Sequence, residues 1–482
     1  MRRAKIVATL GPSLDDRETL RAALEAGIDV VRLNFSHGTH DDHVRRLEMV
    51  RELAVELGRN VGSLADLQGP KIRLGILPTE GLELATGSEV LLRPGFEELD
   101  TYESEGQVAV PVVYPALADD VDPGALILVA DGSIRLLVTR VTDEGVWARV
   151  AAGGWATSKK GVNLPGVDVS AASVTEKDVE DLRAAVKMGV DWLALSFVRK
   201  PEDPETARRL VAELEGDTPI VSKLERPEAV ERLGELVEAS DAVMVARGDL
   251  GVEIGPERVP AIQKEIIYRA NAAAKPVITA TEMLESMITS PRATRAEASD
   301  VANAIFDGTD AVMLSGETAA GRYPVEAVRT MAQIIEVAEA SPHLVHPRPE
   351  WRGPNTETKV ARVVAEAAVQ VASDVGARVI VVYSISGASI QVVSTFRPPS
   401  PLLGLTPVES TRARTSLMWG AEAALVPLKE QQADLFASAE RVLRDGQWAN
   451  HGDKVVIVSG RPGGAGSTNR IMVHRIGDPV MV

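Results

Sequence analysis

The sequence predicts an α/β protein: a (β/α)8 TIM barrel that is interrupted after its third strand by a small β-barrel domain and followed by a C-terminal domain with an open α/β sheet. Short apolar runs alternate with amphipathic helical patterns in two blocks, three runs in the first and five in the second. A stretch without helical periodicity separates the blocks, and a third α/β block follows a linker rich in proline and charge. Short apolar runs are typical of parallel strands buried on both faces, and eight of them match the strand count of this barrel.

The first block has the order βαβαβ. Strand-like apolar runs cover residues 5–10, 29–35 and 61–67, and helical patterns cover residues 15–26 and 41–57. The second helical pattern opens with acidic residues, which are favourable at the positive end of a helix. Residues 1–70 are therefore assigned to the first part of the barrel.

Residues 71–168 have a different character. Runs of Val, Leu and Thr are broken by Gly, Pro and Asp, and no long helical period is present. Such a pattern is typical of a small all-β unit inserted into an α/β chain. Gly153, Gly154, Gly161 and Gly166 are candidate hinge positions, because glycine adopts backbone conformations that other residues avoid.

The alternation of strands and helices returns in residues 169–340. An amphipathic helix is predicted to begin at the capping box Ser173-x-x-Glu176. Five strand-like runs follow this helix and complete the barrel: 192–198, 219–224, 242–246, 276–280 and 311–314.

A third domain is predicted over residues 356–482, after a linker at 341–355. It begins with a helical pattern at 357–375 and continues with short apolar runs that suit a small open sheet. These runs are 379–383, 402–405, 424–426, 455–458 and 471–474.

Composition excludes several classes of function. The 69 acidic and 52 basic residues give a formal net charge of −17, which argues against nucleic acid or anionic membranes as partners. The chain has no cysteine, so disulfides and thiolate chemistry are excluded, and any metal is expected to be held by carboxylates, as Mg²⁺ is. Because no apolar run approaches the ~18–20 residues of a membrane span and the N-terminal run is too short for a signal peptide, we expect a cytoplasmic protein.

Polar and charged residues follow the predicted barrel strands, at the edge where α/β barrels place their active sites. Glu225 and Asp249 follow adjacent strands and can together hold one hard divalent cation, with Lys223 beside them. For any single pair the alternative is a surface salt bridge. The other strand-end residues are Arg32, Asn34, Ser36, His37, Asp66, Arg247, Gly248, Thr281, Glu282, Ser315 and Glu317. Phosphoryl transfer needs such a combination of metal ligands and cations.

Seven motifs, in this order, resemble those of pyruvate kinases: VVRLNFSHG, LADLQGPKIR, SKKGVNLPG, IVSKLE, MVARGDLGVEI, TATEMLESM and PRATRAEASDVANAIFDGTDAVMLSGETAAGRYP. The resemblance covers essentially the whole chain. It implies an interrupted barrel whose inserted β domain acts as a lid over the active site. The implied reaction is phosphoryl transfer from phosphoenolpyruvate to ADP, which gives pyruvate and ATP.

The resemblance also implies roles for individual residues. Glu225 and Asp249 would ligate Mg²⁺ or Mn²⁺. Arg32 and Lys223 would neutralise the transferring phosphoryl group, and Lys223 would also stabilise the enolate that remains. The backbone N–H groups of Gly248 and Asp249 would bind the carboxylate of phosphoenolpyruvate.

Further roles follow from the same resemblance. Thr281 would also contact the substrate carboxylate, and Thr281 and Ser315 are candidates for the relay that protonates the enolate. The residues implied for nucleotide binding are Arg73, Lys160, His37, Asp131 and Asn34. Glu282 stands where the family commonly has Gln, and no role is assigned to it.

Lys71 replaces a residue that is Glu in relatives requiring potassium. In those relatives K⁺ lies near the positions of Asn34, Ser36, Asp66 and Leu67. Lysine is a compact positive charge on a flexible stem, so its ammonium group can stand in for the bound ion. We therefore expect dependence on Mg²⁺ without a need for K⁺. The alternative is that Lys71 points to solvent.

Two C-terminal segments are candidates for an effector site: the first resembles the loop that binds effector phosphate in many pyruvate kinases, and the second is a glycine-rich loop. They are SISGAS at 384–389 and RPGGAGSTN at 461–469, and their candidate ligands are Ser384, Ser386, Gly387, Ser389, Arg461 and Gly464. The alternative for the first is an ordinary strand-to-helix turn capped by Ser386. Backbone N–H groups at a helix start suit a phosphate. Ile385 and Ala388 supply no basic side chain, so a monophosphate such as AMP or a sugar monophosphate is expected rather than a bisphosphate. The resemblance also implies a homotetramer.

Two other functions stay open on the sequence. One is another metal-dependent barrel enzyme acting on pyruvate or phosphoenolpyruvate, which would need no nucleotide site. The other is a non-catalytic metabolite sensor, which would need a lost catalytic group. The chain retains Arg32, Lys223, Glu225, Asp249 and Thr281, and this favours the phosphotransferase.

Overall fold

The computed structural model describes residues 2–342, 344, 356–428, 432–460 and 468–479. Eight parallel strands close into a barrel in which each strand pairs with its chain-order neighbours, and the eighth pairs with the first. The predicted fold class is confirmed. The barrel strands are Lys5–Thr9, Val30–Asn34, Gly62–Asp66, Trp192–Leu195, Ile220–Leu224, Ala242–Ala246, Val277–Ala280 and Ala311–Leu314.

Helices surround the barrel and bury their apolar faces against the strands. Three of them begin with a capping box, in which a threonine side chain accepts from a backbone N–H three residues later and the acidic side chain there accepts in return. The α-helices of this part are Arg17–Ala26, His40–Glu56, Glu176–Met188, Glu202–Glu213, Pro227–Glu231, Leu233–Ala239, Arg247–Ile254, Val259–Ala272, Arg295–Asp307, Gly316–Ala319 and Pro324–Glu339, with 3-10 turns at Pro12–Leu14 and Glu285–Ile288.

The predicted capping box at Ser173 is wrong. The helix begins two residues later, and Thr175 is its N-cap with Asp178 as the reciprocal acidic partner. Ser173 Oγ instead donates to Asp203 Oδ1 at 2.7 Å. Both serine and threonine can cap a helix, so the sequence offered two equivalent starts, and the contact with Asp203 decides between them.

The inserted segment between the third and fourth barrel strands forms a seven-stranded sheet and a two-stranded sheet around its own apolar core. Its two chain connections pair with each other, since Arg73 lies opposite Gly161 in an antiparallel bridge. The strands are Leu82–Leu84, Glu89–Pro94, Glu103–Ser104, Gln107–Val112, Leu126–Val129, Ile134–Thr142, Gly145–Ala152, Gly154–Ala156 and Val162–Asn163, with one short helix at Leu117–Asp120.

The C-terminal part contains an open five-stranded sheet with apolar clusters on both faces. Four strands are parallel and the last is antiparallel to its neighbour. The strands are Ile380–Tyr383, Leu402–Thr406, Ala421–Leu425, Lys454–Gly460 and Thr468–Arg475, and the helices are Thr356–Val375, Ala388–Thr395, Glu409–Arg414 and Gln432–Asp445, with a 3-10 turn at Thr415–Leu417. Most of the predicted linker lies outside the described residues.

The C-terminal sheet is fixed to the barrel by buried polar contacts. Arg397 donates from Nη1 to Asp310 Oδ1 at 2.7 Å and from Nη2 to Asn271 Oδ1 at 3.0 Å. Its guanidinium carbon also lies 5.0 Å from the ring centroid of Trp419. Asp310 directly precedes the eighth barrel strand, so this contact joins the C-terminal part to the end of the barrel opposite the strand-end residues. Across the described ranges, every helix is too short or too polar to cross a membrane.

Candidate active site

The site is built from the inward-facing rows of the barrel strands. Each of the eight strands contributes to one apolar cluster, which therefore fills the barrel interior. Side chains two residues apart on a strand share a face. The residue two positions after a cluster residue therefore also faces the barrel axis, at the carboxyl end of its strand. The pairs of apolar residue and polar successor are Val7 and Thr9, Val30 and Arg32, Leu64 and Asp66, Ala194 and Ser196, Val221 and Lys223, and Met313 and Ser315.

Arg32 is buried and fixed by two neighbouring strands. Its Nε donates to Asp66 Oδ2 at 2.7 Å, and its Nη1 donates to Thr9 Oγ1 at 3.0 Å. Although burial disfavours its charged form, the positive charges of Lys223 and Arg32 lower the pKa of Asp66. Asp66 is therefore an anion that orients two cations at the floor of the site.

Lys223 lies at the centre of the site. Its Nζ donates to Ser196 Oγ at 2.8 Å and lies 3.4 Å from Asp66 Oδ1 and 2.8 Å from Glu225 Oε1. Burial works against the charged amine, but the two carboxylates outweigh it and raise the pKa of Lys223. The ammonium group is thus kept charged in a buried position.

Glu225 has the character of a metal ligand. It is fully buried, and its Oε2 accepts from the backbone N–H of Phe197 at 2.8 Å. Its Oε1 has no aligned hydrogen-bond donor among the described residues. Burial and the nearby negative charge of Asp249 raise the pKa of Glu225. Its Oε1 is paired only with Lys223, and a buried carboxylate beside a second carboxylate is suited to a hard cation.

Asp249 lies in the first turn of the helix Arg247–Ile254, which follows the barrel strand adjacent to that of Glu225. Its negative charge acts on the carboxyl group of Glu225. Its Oδ1 accepts from Lys71 Nζ at 3.1 Å. Within the described ranges no three His, Asp or Glu side chains cluster as a metal site would require, so the test of fit rests on Glu225 and Asp249 alone. Their oxygens fit Mg²⁺, which usually takes one or two protein carboxylates and completes its shell with water and substrate phosphate.

The Thr281 turn is strained. Thr281 and Glu282 have φ angles of 66° and 54°, in the left-handed region that branched side chains rarely occupy. Arg247 holds this turn, because its Nη2 donates to the Thr281 carbonyl oxygen at 2.6 Å and its Nε to the Ala280 carbonyl oxygen at 3.1 Å. As a result, Thr281 Oγ1 lies 2.8 Å from the backbone nitrogen of Gly248, from which it accepts a hydrogen bond.

Ser315 and Glu317 complete the rim at the eighth strand. The carboxylate of Glu317 is fully buried and accepts from the backbone N–H of Ser315 at 2.6 Å and of Leu284 at 3.0 Å. It therefore joins the loops after the seventh and eighth strands. Ser315 Oγ is buried and makes no hydrogen bond within the described part of the chain, so its hydrogen-bonding capacity is unused there.

The residues implied for nucleotide binding lie at the edge of the site. Arg73 Nη1 donates to the Lys159 carbonyl oxygen at 3.0 Å, and Lys160 is exposed beside it. Partial burial and the charges of Arg73, Arg32 and Lys71 lower the pKa of His37, which places this imidazole near the cationic side of the site.

Asp131 is on a different wall. It lines an open cleft of about 610 Å³ between the inserted domain and the barrel, together with Gly248 and Glu282. Glu282 is exposed in this cleft. Arg73 lines a separate cleft of about 360 Å³ together with Lys71 and Lys159.

The residues of the expected monovalent-cation region lie along the second and third strands. Asn34 is opposite Asp66 in the strand register, and its Oδ1 accepts from the Ser36 backbone N–H at 3.2 Å. Leu67 is buried. Lys71 does not point to solvent, because its ammonium group is paired with Asp249 as described above.

The candidate effector loop forms a strand-to-helix turn. Ser384 Oγ accepts from the Gly387 backbone N–H at 2.9 Å, and Gly387 has a φ of 84° before the helix Ala388–Thr395. Ser386 is exposed, and the Ser389 hydroxyl is hydrogen-bonded to that of Thr468. Arg461 and Gly464 lie outside the described residues.

Four residues of the site received no role from the sequence. Thr9 ends the first barrel strand and Ser196 follows the fourth, the two strands whose ends were left out of the sequence-based set. The same strand-end rule, applied to all eight strands, would have found both. Arg247 and Glu317 were in that set, but no sequence pattern indicated that they hold loops rather than ligands.

The arrangement suits an anionic substrate. Arg32 and Lys223 present buried positive charge next to two carboxylates that fit a divalent cation, and the backbone N–H groups at the start of the Arg247–Ile254 helix favour an anion. This combination stabilises charge that develops on a phosphoryl group or an enolate.

Comparison with known proteins identifies the family. A family model described as "Pyruvate kinase, barrel domain" matches residues 1–328, and one described as "Pyruvate kinase, alpha/beta domain" matches residues 362–474. The pyruvate kinase of Corynebacterium glutamicum is 44% identical, covering 100% of this chain and 99% of its own. Those of Mycobacterium tuberculosis and Mycobacterium intracellulare are also 44% identical, each with 99% of both chains covered.

Proposed function

Because the chain belongs to the pyruvate kinase family, a family of phosphotransferases, we propose that it transfers the phosphoryl group of phosphoenolpyruvate to ADP and so forms pyruvate and ATP. The observation that carries this proposal is the convergence of Arg32 and Lys223 on Asp66, next to the buried carboxylate of Glu225. Phosphoryl transfer requires little covalent chemistry from the protein and depends on positioning and charge stabilisation.

The residues of the chain divide this work. Arg32 and Lys223 neutralise the phosphoryl group, and Lys223 also stabilises the enolate after the P–O bond breaks. The Thr281 hydroxyl and the N–H groups of Gly248 and Asp249 bind and orient the substrate carboxylate. Ser315, whose hydroxyl is buried and unpaired in the described part, joins Thr281 in delivering the proton to the enolate carbon.

Glu225 and Asp249 are the residues that would hold Mg²⁺ or Mn²⁺. When bound there, the metal supplies Lewis-acid stabilisation of the phosphoryl oxygens. Lys71 pairs with Asp249 at 3.1 Å. Its ammonium group would move away from the Asp249 carboxylate when that carboxylate holds the metal.

The nucleotide is proposed to bind between the inserted domain and the barrel. Arg73, Lys160 and His37 face its phosphates, and Asn34 and Asp131 complete the site. The inserted domain acts as a lid that excludes water, because a phosphoryl group in transit would otherwise be lost to hydrolysis.

A coupled assay for pyruvate tests the function. Incubation with phosphoenolpyruvate, Mg²⁺ and ADP is expected to yield pyruvate and ATP in equal amounts, and omission of ADP is expected to abolish nearly all product. Product without ADP would instead support another metal-dependent barrel enzyme. A chain that binds phosphoenolpyruvate without turnover would be a sensor.

We further propose that the activity does not require K⁺. The support is the contact of Lys71 with Asp249, which keeps the ammonium group inside the site and away from solvent. A monovalent cation near Asn34, Ser36 and Asp66 would meet this positive charge in place of the Glu that potassium-requiring relatives have.

Turnover is expected to change less than tenfold when KCl is added to a Mg²⁺ buffer whose only other monovalent cation is tetramethylammonium. In the same buffer Lys71→Glu is expected to lose at least about tenfold in turnover, and KCl is expected to restore part of it. Lys200→Glu, at an exposed position, controls for the charge reversal. Activation of the unmodified enzyme by more than tenfold would contradict the proposal.

A third proposal is allosteric control by an effector that carries one phosphate group. A homotetramer would supply the subunits that such an effector couples. The proposal is supported by the Ser384–Gly387 turn, which places the Ser384 and Ser386 hydroxyls before a helix start. Titration of phosphoenolpyruvate saturation curves with AMP or glucose 6-phosphate is expected to shift the half-saturation point by about fivefold or more. Ser386→Ala is expected to reduce the shift, and saturation curves that do not move with either compound would contradict the proposal.

A further inference from the structure

Both chain connections of the lid are tied to one short helix of the barrel, Arg247–Ile254. On the outgoing connection, Lys71 Nζ donates to Asp249 Oδ1 at 3.1 Å. On the returning connection, Asn163 Nδ2 donates to Glu253 Oε1 at 2.9 Å. Asp249 and Glu253 are four residues apart, so one face of this helix receives both connections.

The returning contact is buried and shared. The Glu253 side chain is fully buried, and Asn163 is only 6% exposed. Arg226 Nη1 donates to the same Glu253 oxygen at 3.0 Å, and Arg226 Nη2 donates to the Val167 carbonyl oxygen of the returning connection at 3.1 Å. Hydrogen bonds to a buried charged acceptor are strong, because no water competes for it.

Arg226 and Glu253 are close in sequence to the two proposed metal ligands. Arg226 directly follows Glu225, and Glu253 lies one helical turn after Asp249. The two connections of the lid also pair with each other, since Leu74 N donates to the Lys160 carbonyl oxygen at 2.8 Å and Val162 N donates to that of Ile72 at 2.9 Å. A shift of the lid base is therefore transmitted to the helix that carries Gly248 and Asp249.

We propose that Asn163, Glu253 and Arg226 form a hinge anchor that sets the position of the lid relative to Gly248 and Asp249. They are positioning residues, since none is placed to touch the reacting atoms. The inference rests on the proposed phosphoryl transfer and assigns to these three residues the alignment of the lid during that reaction.

The proposal predicts a specific side reaction when the anchor is loosened. With a misplaced lid, water replaces ADP as the acceptor: the water oxygen bonds to phosphorus, the enol C–O–P linkage breaks at the P–O bond, and the enolate takes a proton. The products are pyruvate and inorganic phosphate, so phosphate release without ADP reports the defect.

Asn163→Ala is the primary variant, because it removes the lid-side donor and leaves the Arg226–Glu253 pair in place. In the full chain we expect its ratio of phosphate release without ADP to ATP formation with ADP to rise about tenfold, since small displacements of a reacting group have effects of this size or larger. Hydrogen exchange at the amides of residues 71–74 and 160–164 is expected to become about tenfold faster.

Ser158→Ala is the matched control. Ser158 Oγ bonds Leu77 within the lid at 2.9 Å and contacts no barrel residue through this bond, so both readouts are expected to remain at the unmodified values. Glu253→Gln keeps an acceptor oxygen for Asn163 but removes the buried negative charge that pairs with Arg226, so it is expected to move both readouts in the same direction as Asn163→Ala. If Asn163→Ala fails to fold in a thermal melt, Asn163→Ser takes its place, with the same direction expected in both readouts.

The outcomes separate the anchor from the proposed function. If Asn163→Ala matches Ser158→Ala in both hinge exchange and product ratio, the anchor is overturned while phosphoryl transfer stands. If the unmodified chain forms no ATP, the proposed function fails, and the hinge-exchange comparison still decides whether the anchor exists. A uniform loss of both products with unchanged exchange would indicate a purely structural role and would also overturn the anchor.

Discussion

Lys223→Met is expected to lower the turnover of phosphoenolpyruvate and ADP by at least about 10²–10³-fold in a chain that still folds. The loss of one preorganised charge that stabilises a transition state typically has this size. In this site the ammonium group serves two anions in sequence, the phosphoryl group and the enolate. Its contacts with Ser196, Asp66 and Glu225 hold the ammonium group at the centre of the site.

The measurement is steady-state kinetics with Mg²⁺, combined with a thermal melt to verify folding. Lys200→Met removes an exposed lysine that follows the fourth barrel strand and controls for the substitution itself. Turnover of Lys223→Met close to that of Lys200→Met would show that Lys223 has no part in the chemistry. Mg²⁺ binding by Lys223→Met should persist, since Glu225 and Asp249 are unchanged.

The second large effect is expected on stability. Arg397→Met removes the cation that pairs with Asp310 at 2.7 Å, where both side chains are almost completely buried. Removing one partner of a buried pair leaves an uncompensated charge, and we expect the free energy of unfolding to fall by about 3–5 kcal/mol. The C-terminal part would be released from the barrel before the barrel itself unfolds.

Chemical denaturation followed by tryptophan fluorescence measures this loss, because Trp419 lies against Arg397. Arg414→Met is the control: Arg414 also joins the C-terminal part to the barrel, but its partner Asp217 is largely exposed, so a loss of about 1 kcal/mol or less is expected. The double variant Arg397→Met with Asp310→Asn should lose less than the sum of the single losses, since it removes both charges. Equal destabilisation by Arg397→Met and Arg414→Met would contradict the assigned role.

The barrel was predictable because its sequence repeats one physical pattern. Each buried strand is a short apolar run that ends where polar groups reach the rim, and the predicted runs 242–246 and 311–314 coincide with the observed strands. The inward rows place Arg32, Asp66 and Lys223 at the same edge, so the core of the candidate site followed from the alternation of side chains along a strand.

The connections between distant parts were not predictable in the same way. Asn163 and Glu253 are 90 residues apart, and Arg397 and Asp310 are 87 apart. Their pairing depends on how the lid and the C-terminal sheet dock on the barrel, which no periodicity encodes. The start of the helix at Thr175 was missed for a related reason, because a tertiary contact with Asp203 occupies the competing Ser173.

The position of the inserted domain also bears on how the chain folds. Trp192 of the fourth barrel strand pairs with Leu64 of the third, although the whole insertion lies between them. The entropic free-energy cost of closing a loop increases by about 0.6 kcal/mol with each doubling of loop length. Because the insertion has its own buried core and its two ends pair with each other, its prior folding would shorten the loop that the barrel must close. The loop that remains between the third and fourth barrel strands would then be similar in effective length to an ordinary connection between neighbouring strands.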